Sequence, residues 1–180
     1  MEKSVNYSFT DKALLFIVCI SDVVQVLITG SVWDSSQNAK MEVIKANEKT
    51  YVCKSSSYKY PNDVAWVSGG FVENKIIICG GWYVNDDDPT NVTCYSFGGE
   101  NKWQLHSSPK NNVVHGSAVI PLSNGLWIIG GVSWDPTNYL SSTEIVHLDG
   151  TRTKGVELPL QIMYQCGVKH SGVAFLIGGI

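Results

Sequence analysis

The chain has 180 residues, 44% hydrophobic and 16% charged, with 13 basic against 16 acidic side chains for a net charge of −3. That length holds one sizeable core, and so apolar a composition excludes an intrinsically disordered chain. The absence of any basic block argues against a nucleic-acid partner, and the longest apolar run, residues 13–20, is too short for a membrane-spanning helix.

One short phrase recurs four times and sets the frame for everything else. It reads Leu27-Ile28-Thr29-Gly30-Ser31, Ile77-Ile78-Cys79-Gly80-Gly81, Ile128-Ile129-Gly130-Gly131 and Leu176-Ile177-Gly178-Gly179. The leading glycines lie 50, 50 and 48 residues apart, a period that marks a repeat architecture. Each phrase is an apolar, β-rich run that stops at glycine, which predicts a buried strand followed by a sharp turn.

Taken in order, the elements repeat one grammar. Glu2 and Asp11 precede the 13–20 run and no small-residue cleavage site comes after it. Counting back 15 residues from the phrase glycine reaches Leu15 here, and Ala65 and His115 in the next two repeats. The run is therefore predicted as a first strand rather than a signal peptide. The first repeat has strands over 14–20, 25–29, 41–44 and 51–53, with turns at Ser21-Asp22 and Asn47-Glu48-Lys49. The second has strands over 65–71 and 75–80 joined by Glu73-Asn74-Lys75. A polar loop then leads to an alternating strand over 92–97, the turn 98–101, and a fourth strand bearing Trp103 and Leu105. The third has strands over 115–120, 126–130, 143–148 and 156–158, turning at Ser123-Asn124-Gly125 and Asp149-Gly150. A last pair covers 166–169 and 173–178. The units are thus 12–53, 62–105, 115–158 and a partial 164–180, in a single all-β domain. Helical periodicity and helix caps are absent from the pattern.

Four short antiparallel strands with a period near 50 match the blade of a β-propeller. The double glycine closing an apolar strand, the alternating third strand and a Trp after an Asn-Lys turn resemble kelch repeats over essentially the whole chain. The first repeat departs from the pattern, with Gly30-Ser31 for two glycines and Tyr51 in the slot of Trp103, and the third repeat has no aromatic there. The resemblance implies scaffold roles for Gly30, Gly80, Gly81, Gly130, Gly131, Gly178, Gly179 and Trp103. It also implies a structural histidine at His115, where an apolar strand begins. Glycine permits positive φ and close approach between blades, and the outer aromatic seals one blade on the next. Three complete units and half a fourth predict an open arc, which needs further blades or a second copy to close.

No catalytic constellation is found: no G-x-S-x-G, no P-loop, no G-x-G-x-x-G, and no histidine pair at metal-binding spacing. Asp86, Asp87 and Asp88 lack the alternating ligands and turn glycine of a calcium loop and are predicted as a solvated loop. No cofactor and no metal are expected. Some propellers of the kelch resemblance are enzymes, copper oxidases and sugar epimerases among them, so a fragment of such an enzyme with its catalytic residues in other blades is the alternative to a binding module.

Five cysteines leave at least one unpaired within the chain. Cys79 ends a second strand and Cys94 lies in the third strand of the same blade; those strands are hairpin neighbours, so the two are candidates for a disulfide. Asn91-Val92-Thr93 and Asn6-Tyr7-Ser8 fit the glycosylation triplet. These hints point to an extracellular setting, and a cytosolic propeller with free thiols is the alternative.

Strands that run alternately up and down divide the loops between two ends. The first-to-second and third-to-fourth turns are tight. The second-to-third loops and the links between blades gather at the other end and are long. They carry Trp33, Asp34, Trp82, Tyr83, Asp86–Asp88, Trp134 and Asp135, with Tyr58, Tyr60, His106 and Tyr164 in the links. Aromatic side chains with polar tips favour recognition. This end is the predicted binding face for a protein, peptide or glycan.

Overall fold

In the computed structural model the described residues are 18–20, 25–30, 40–46, 51–61, 64–65, 67–83, 93–100, 102–108, 114–134 and 137–180. All of their regular structure is β-strand. The first sheet runs β1 (Val18–Ile20), β2 (Gln25–Gly30), β3 (Lys40–Ala46) and β4 (Tyr51–Lys59), each strand antiparallel to the next. Next come β5 (Val64–Ala65), β6 (Ser68–Val72), β7 (Lys75–Cys79), β8 (Trp82–Tyr83), β9 (Cys94–Gly98) and β10 (Lys102–Ser107). Of these, β6, β7, β9 and β10 form the second four-stranded sheet, while β5 and β8 pair with each other.

The third repeat is built the same way from β11 (Val114–His115), β12 (Ala118–Leu122), β13 (Gly125–Ile129), β14 (Val132–Trp134), β15 (Thr137–Tyr139), β16 (Thr143–His147) and β17 (Arg152–Lys154). Here β12, β13, β16 and β17 make the sheet, and β11, β14 and β15 make a separate ribbon. A final hairpin joins β18 (Gln165–His170) to β19 (Val173–Gly178).

The inner strands of the second and third sheets are largely apolar, and neighbouring sheets pack against them. Ile77 and Cys79 of β7 join Cys94 and Val72 against Leu126, Ile128 and Val146 of the third sheet. One repeat on, Ala118, Ile120 and Ile129 pack against Leu176 of the last hairpin. The same face of one sheet thus meets the same opposite face of the next, twice. Innermost strands succeed one another in order, with β6 between β1 and β12, and β12 between β6 and β18. Gly70 makes the approach close, since a Cβ there would lie 2.8 Å from Leu126 Cδ2. A polar clamp crosses the same junction. Arg152 of β17 donates to Ser107 Oγ at 2.8 Å, to Cys94 Sγ at 3.0 Å and to Glu144 at 2.7 Å.

Several expected boundaries move. Ala65 belongs to β5 and not to the first strand of its sheet, which begins at Ser68. The fourth strand of the third repeat is Arg152–Lys154, and residues 156–158 are held instead by Leu158 N–H donating to Ser141 O. β4 runs through the Ser55-Ser56-Ser57 stretch to Lys59, placing Tyr58 in a strand rather than a link. Of the 13–20 run, Val18–Ile20 forms β1 and the rest lies outside the described residues. Among the described residues no helix is long and apolar enough to cross a membrane.

Candidate binding face

The double glycines shape this end of the molecule. Gly80 and Gly81 have φ of 66° and 104°, Gly130 and Gly131 58° and 105°, and Gly178 and Gly179 75° and 97°. Two successive positive φ values are readily open only to glycine, and they swing the chain out of its sheet. Beyond the glycines the chain enters a ribbon in fixed register. Ala65 pairs with Trp82 and His115 with Val132. Met163 and Ile180 exchange two backbone hydrogen bonds of 3.2 and 3.1 Å at the equivalent positions. Ala65 and His115, reached by counting back from the phrase glycines, are therefore ribbon partners, and Leu15 lies outside the described residues.

Trp82, Tyr83 and Trp134 accordingly lie in short strands and not in long loops, β8 for the first two and β14 for the third. In the third repeat Val132 pairs with Tyr139, Ser133 with Asn138 and Trp134 with Thr137, so β14 and β15 form one antiparallel pair of the ribbon. Residues 159–164 lace this end together. Gly131 N–H donates to Ile162 O at 2.8 Å, Ile162 N–H to Leu140 O at 3.2 Å, and Tyr164 N–H to Gly116 O at 2.8 Å. Tyr164 adopts φ 56° and lays its ring over Gly116, where a Cβ would sit 2.7 Å from the ring. Tyr139 and Tyr164 are both exposed residues.

The other predicted rim residues divide. Tyr60 is 3% exposed and leaves the rim altogether. Its ring meets Trp103 edge-on at 4.9 Å and Tyr95 at 5.7 Å, while Trp103 also touches Phe97 at 5.2 Å. Trp103 therefore packs within an aromatic cluster formed with the segment that enters the second repeat. Trp33, Asp34, Asp86, Asp87, Asp88, Asn91 and Asp135 lie outside the described residues. Gly30 ends β2, paired with Lys40. Tyr139 was not singled out from sequence, although Asp135-Pro136 between two short β-prone runs is a hairpin signal.

His115 is buried in β11, and that burial holds its imidazole below its ordinary pKa. His106, expected in a link, sits in β10 with Nε2 donating to His147 O at 2.8 Å. Burial lowers its pKa and that hydrogen bond partly opposes the shift. Cys79 and Cys94 are joined by a disulfide across the β7–β9 pair, and Cys166 is free and exposed. Among the described residues no cluster of His, Cys, Asp or Glu is arranged to hold a metal ion.

No family model and no curated protein matches this chain. Solved structures do match, among them the structure of YjhT, similar over 94% of this chain at 17% identity with a TM-score of 0.67. The chain spans 59% of the length of that protein. At such identity the likeness is one of fold, an all-β chain of antiparallel four-stranded sheets.

Proposed function

We propose that the chain is an arc of a kelch-type β-propeller whose ribbon-bearing end binds a protein, peptide or glycan. The serial contact of innermost strands β1, β6, β12 and β18 supports the propeller arrangement. The observation that carries the binding face is the repeated ribbon, in register at 65 with 82 and at 115 with 132, with exposed Tyr139 and Tyr164 beside the third-repeat ribbon. A rigid hydrogen-bonded ribbon presents aromatic side chains at low entropic cost, which is what a recognition surface requires. Replacing Trp82, Tyr83 and Trp134 together with alanine, and separately Tyr139 with Tyr164, is the test. The expected result is loss of binding on peptide and glycan arrays with an unchanged far-UV CD spectrum. Loss of the folded signal together with binding makes those residues scaffold instead.

A further inference from the structure

Alternate residues of a strand face opposite sides of its sheet, and the last hairpin separates its two faces cleanly. Leu176 packs into the core of the third sheet, and a Cβ on Gly167 would touch Ile120, Val119 and Ala118. The opposite face carries Cys166, Val168, Phe175 and Ile177, with Cys166 opposite Ile177 and Val168 opposite Phe175. All four are exposed. By repeat position Phe175 and Ile177 correspond to Ile77 and Cys79 of β7, and to Trp127 and Ile129 of β13. In the second and third sheets this face is covered each time by the next sheet, whose contact positions are Leu126 and Ile128 in one case and Leu176 in the other.

The surface on β18–β19 is therefore one half of an interface seen twice within the chain, and its other half has a known chemistry. Positions equivalent to Leu126 and Ile128 exist in the first sheet, where β2 carries Val26 and Ile28 at the same distance before the phrase glycine. We propose that the 180-residue chain associates head to tail with a second copy. The Val168–Phe175–Ile177 face of one copy takes the β1–β2 sheet of the other, at the positions of Val26 and Ile28. Such an interface is heterologous and ends in a ring only when the rotation closes. Each copy contributes three four-stranded sheets and the two-stranded β18–β19 hairpin, so two copies hold six full sheets and two half-sheets, within the range of about four to eight blades of closed propellers. Closure at two copies rests on the propeller reading above, whereas the pairing of faces rests on the exposure of the β18–β19 face and on the repeat positions of Val26 and Ile28.

The test is sedimentation equilibrium of the full chain over a dilution series, with Cys166 labelling by a maleimide mapped at the peptide level. The expected result is twice the monomer mass, falling on dilution, with Cys166 labelled several-fold more slowly in the assembled form. Phe175→Asp with Ile177→Asp, made at exposed positions, yields a monomer with an unchanged CD spectrum. Val26→Asp with Ile28→Asp yields a monomer as well, and mixing the two variants restores a pair, since each retains one intact half. A chain that stays monomeric, with Cys166 reacting at one rate at every concentration, overturns the proposal. So does a Val26/Ile28 variant that still dimerises alone, because it means that like faces pair. Growth beyond two copies supports the pairing of faces and sinks the closed propeller.

Discussion

Ile129 and Ile177 close the same phrase in successive repeats, yet Ile129 is 0% exposed and Ile177 is 62% exposed. Ile129 ends β13 opposite Ala118, and Ile177 lies one residue before the end of β19 opposite Cys166. The local sequence is nearly identical and the backbone turn after it is the same. What differs is the neighbour: Leu176 lies against the core that holds Ile129, and among the described residues no sheet covers Ile177. In a repeat protein burial is thus a property of the junction between units, and stability is distributed over those junctions.

The most forceful way to break this comparison is to truncate both side chains. Ile129→Ala is expected to cost about 2–5 kcal/mol in urea unfolding, whereas Ile177→Ala in dilute protein stays within about 0.5 kcal/mol of wild type. A gap that narrows with rising protein concentration sharpens the comparison by showing that the Ile177 face becomes covered. Equal losses in dilute protein would mean that the hairpin face is already buried.

Reduction comes next. The disulfide closes a segment with a sequence separation of 15, and its loss is expected to cost about 3 kcal/mol. The midpoint of denaturation with and without reductant measures this, and thiol counting checks the premise. Five reactive cysteines after denaturation without reductant rule the bridge out.

A smaller effect is expected at the clamp between the second and third sheets. Arg152 is nearly buried and ties β17 to Ser107, Cys94 and Glu144. Arg152→Ala should cost about 1–3 kcal/mol by leaving these groups short of donors, and Arg152→Lys should recover only part of that because one ammonium cannot reproduce the fork. Lys154 and Glu157, both exposed, form the control pair. Breaking that pair should change stability by less than about 0.5 kcal/mol.

The mildest probe is pH. Burial depresses the pKa values of His106 and His115 in the folded chain. The unfolded chain therefore takes up more protons as pH falls through about 6.5, and stability declines below that value. A thermal midpoint that drops from pH 7.5 to 5.5, and drops less in His106→Gln, bears this out; a midpoint that is flat over the range contradicts it.

Much of the sheet framework was legible because its signals are local. The glycine period located the second strands, and Glu73-Asn74 and Ser123-Asn124 marked their hairpins. The ribbons were not legible, since strands of two or three residues are too short to show any alternation. The fourth strand of the third repeat was missed because Arg152-Thr153-Lys154 looks like a polar turn, yet it pairs with β16 in register. Tyr60 was misplaced for a different reason. Its burial depends on Tyr95 and Trp103, residues far along the chain, and no local pattern announces such a partnership.

The glycine turns have a further consequence, for how such a chain can change over time. Between the last paired residue of the second strand and its partner on the third, the chain takes 10, 15 and 14 residues in the three full sheets, from Gly30 to Lys40, Cys79 to Cys94 and Ile129 to Thr143. The third strand lands in place each time, whatever its detour. Because the detour leaves the second and third sheets at a glycine pair and returns in register, insertions and exchanges there are expected to be absorbed without disturbing the packed layers. One end of the molecule is thus free to vary in sequence while the other stays constrained, and a foreign recognition loop grafted after Tyr83 or Trp134 should be carried by an unaltered scaffold.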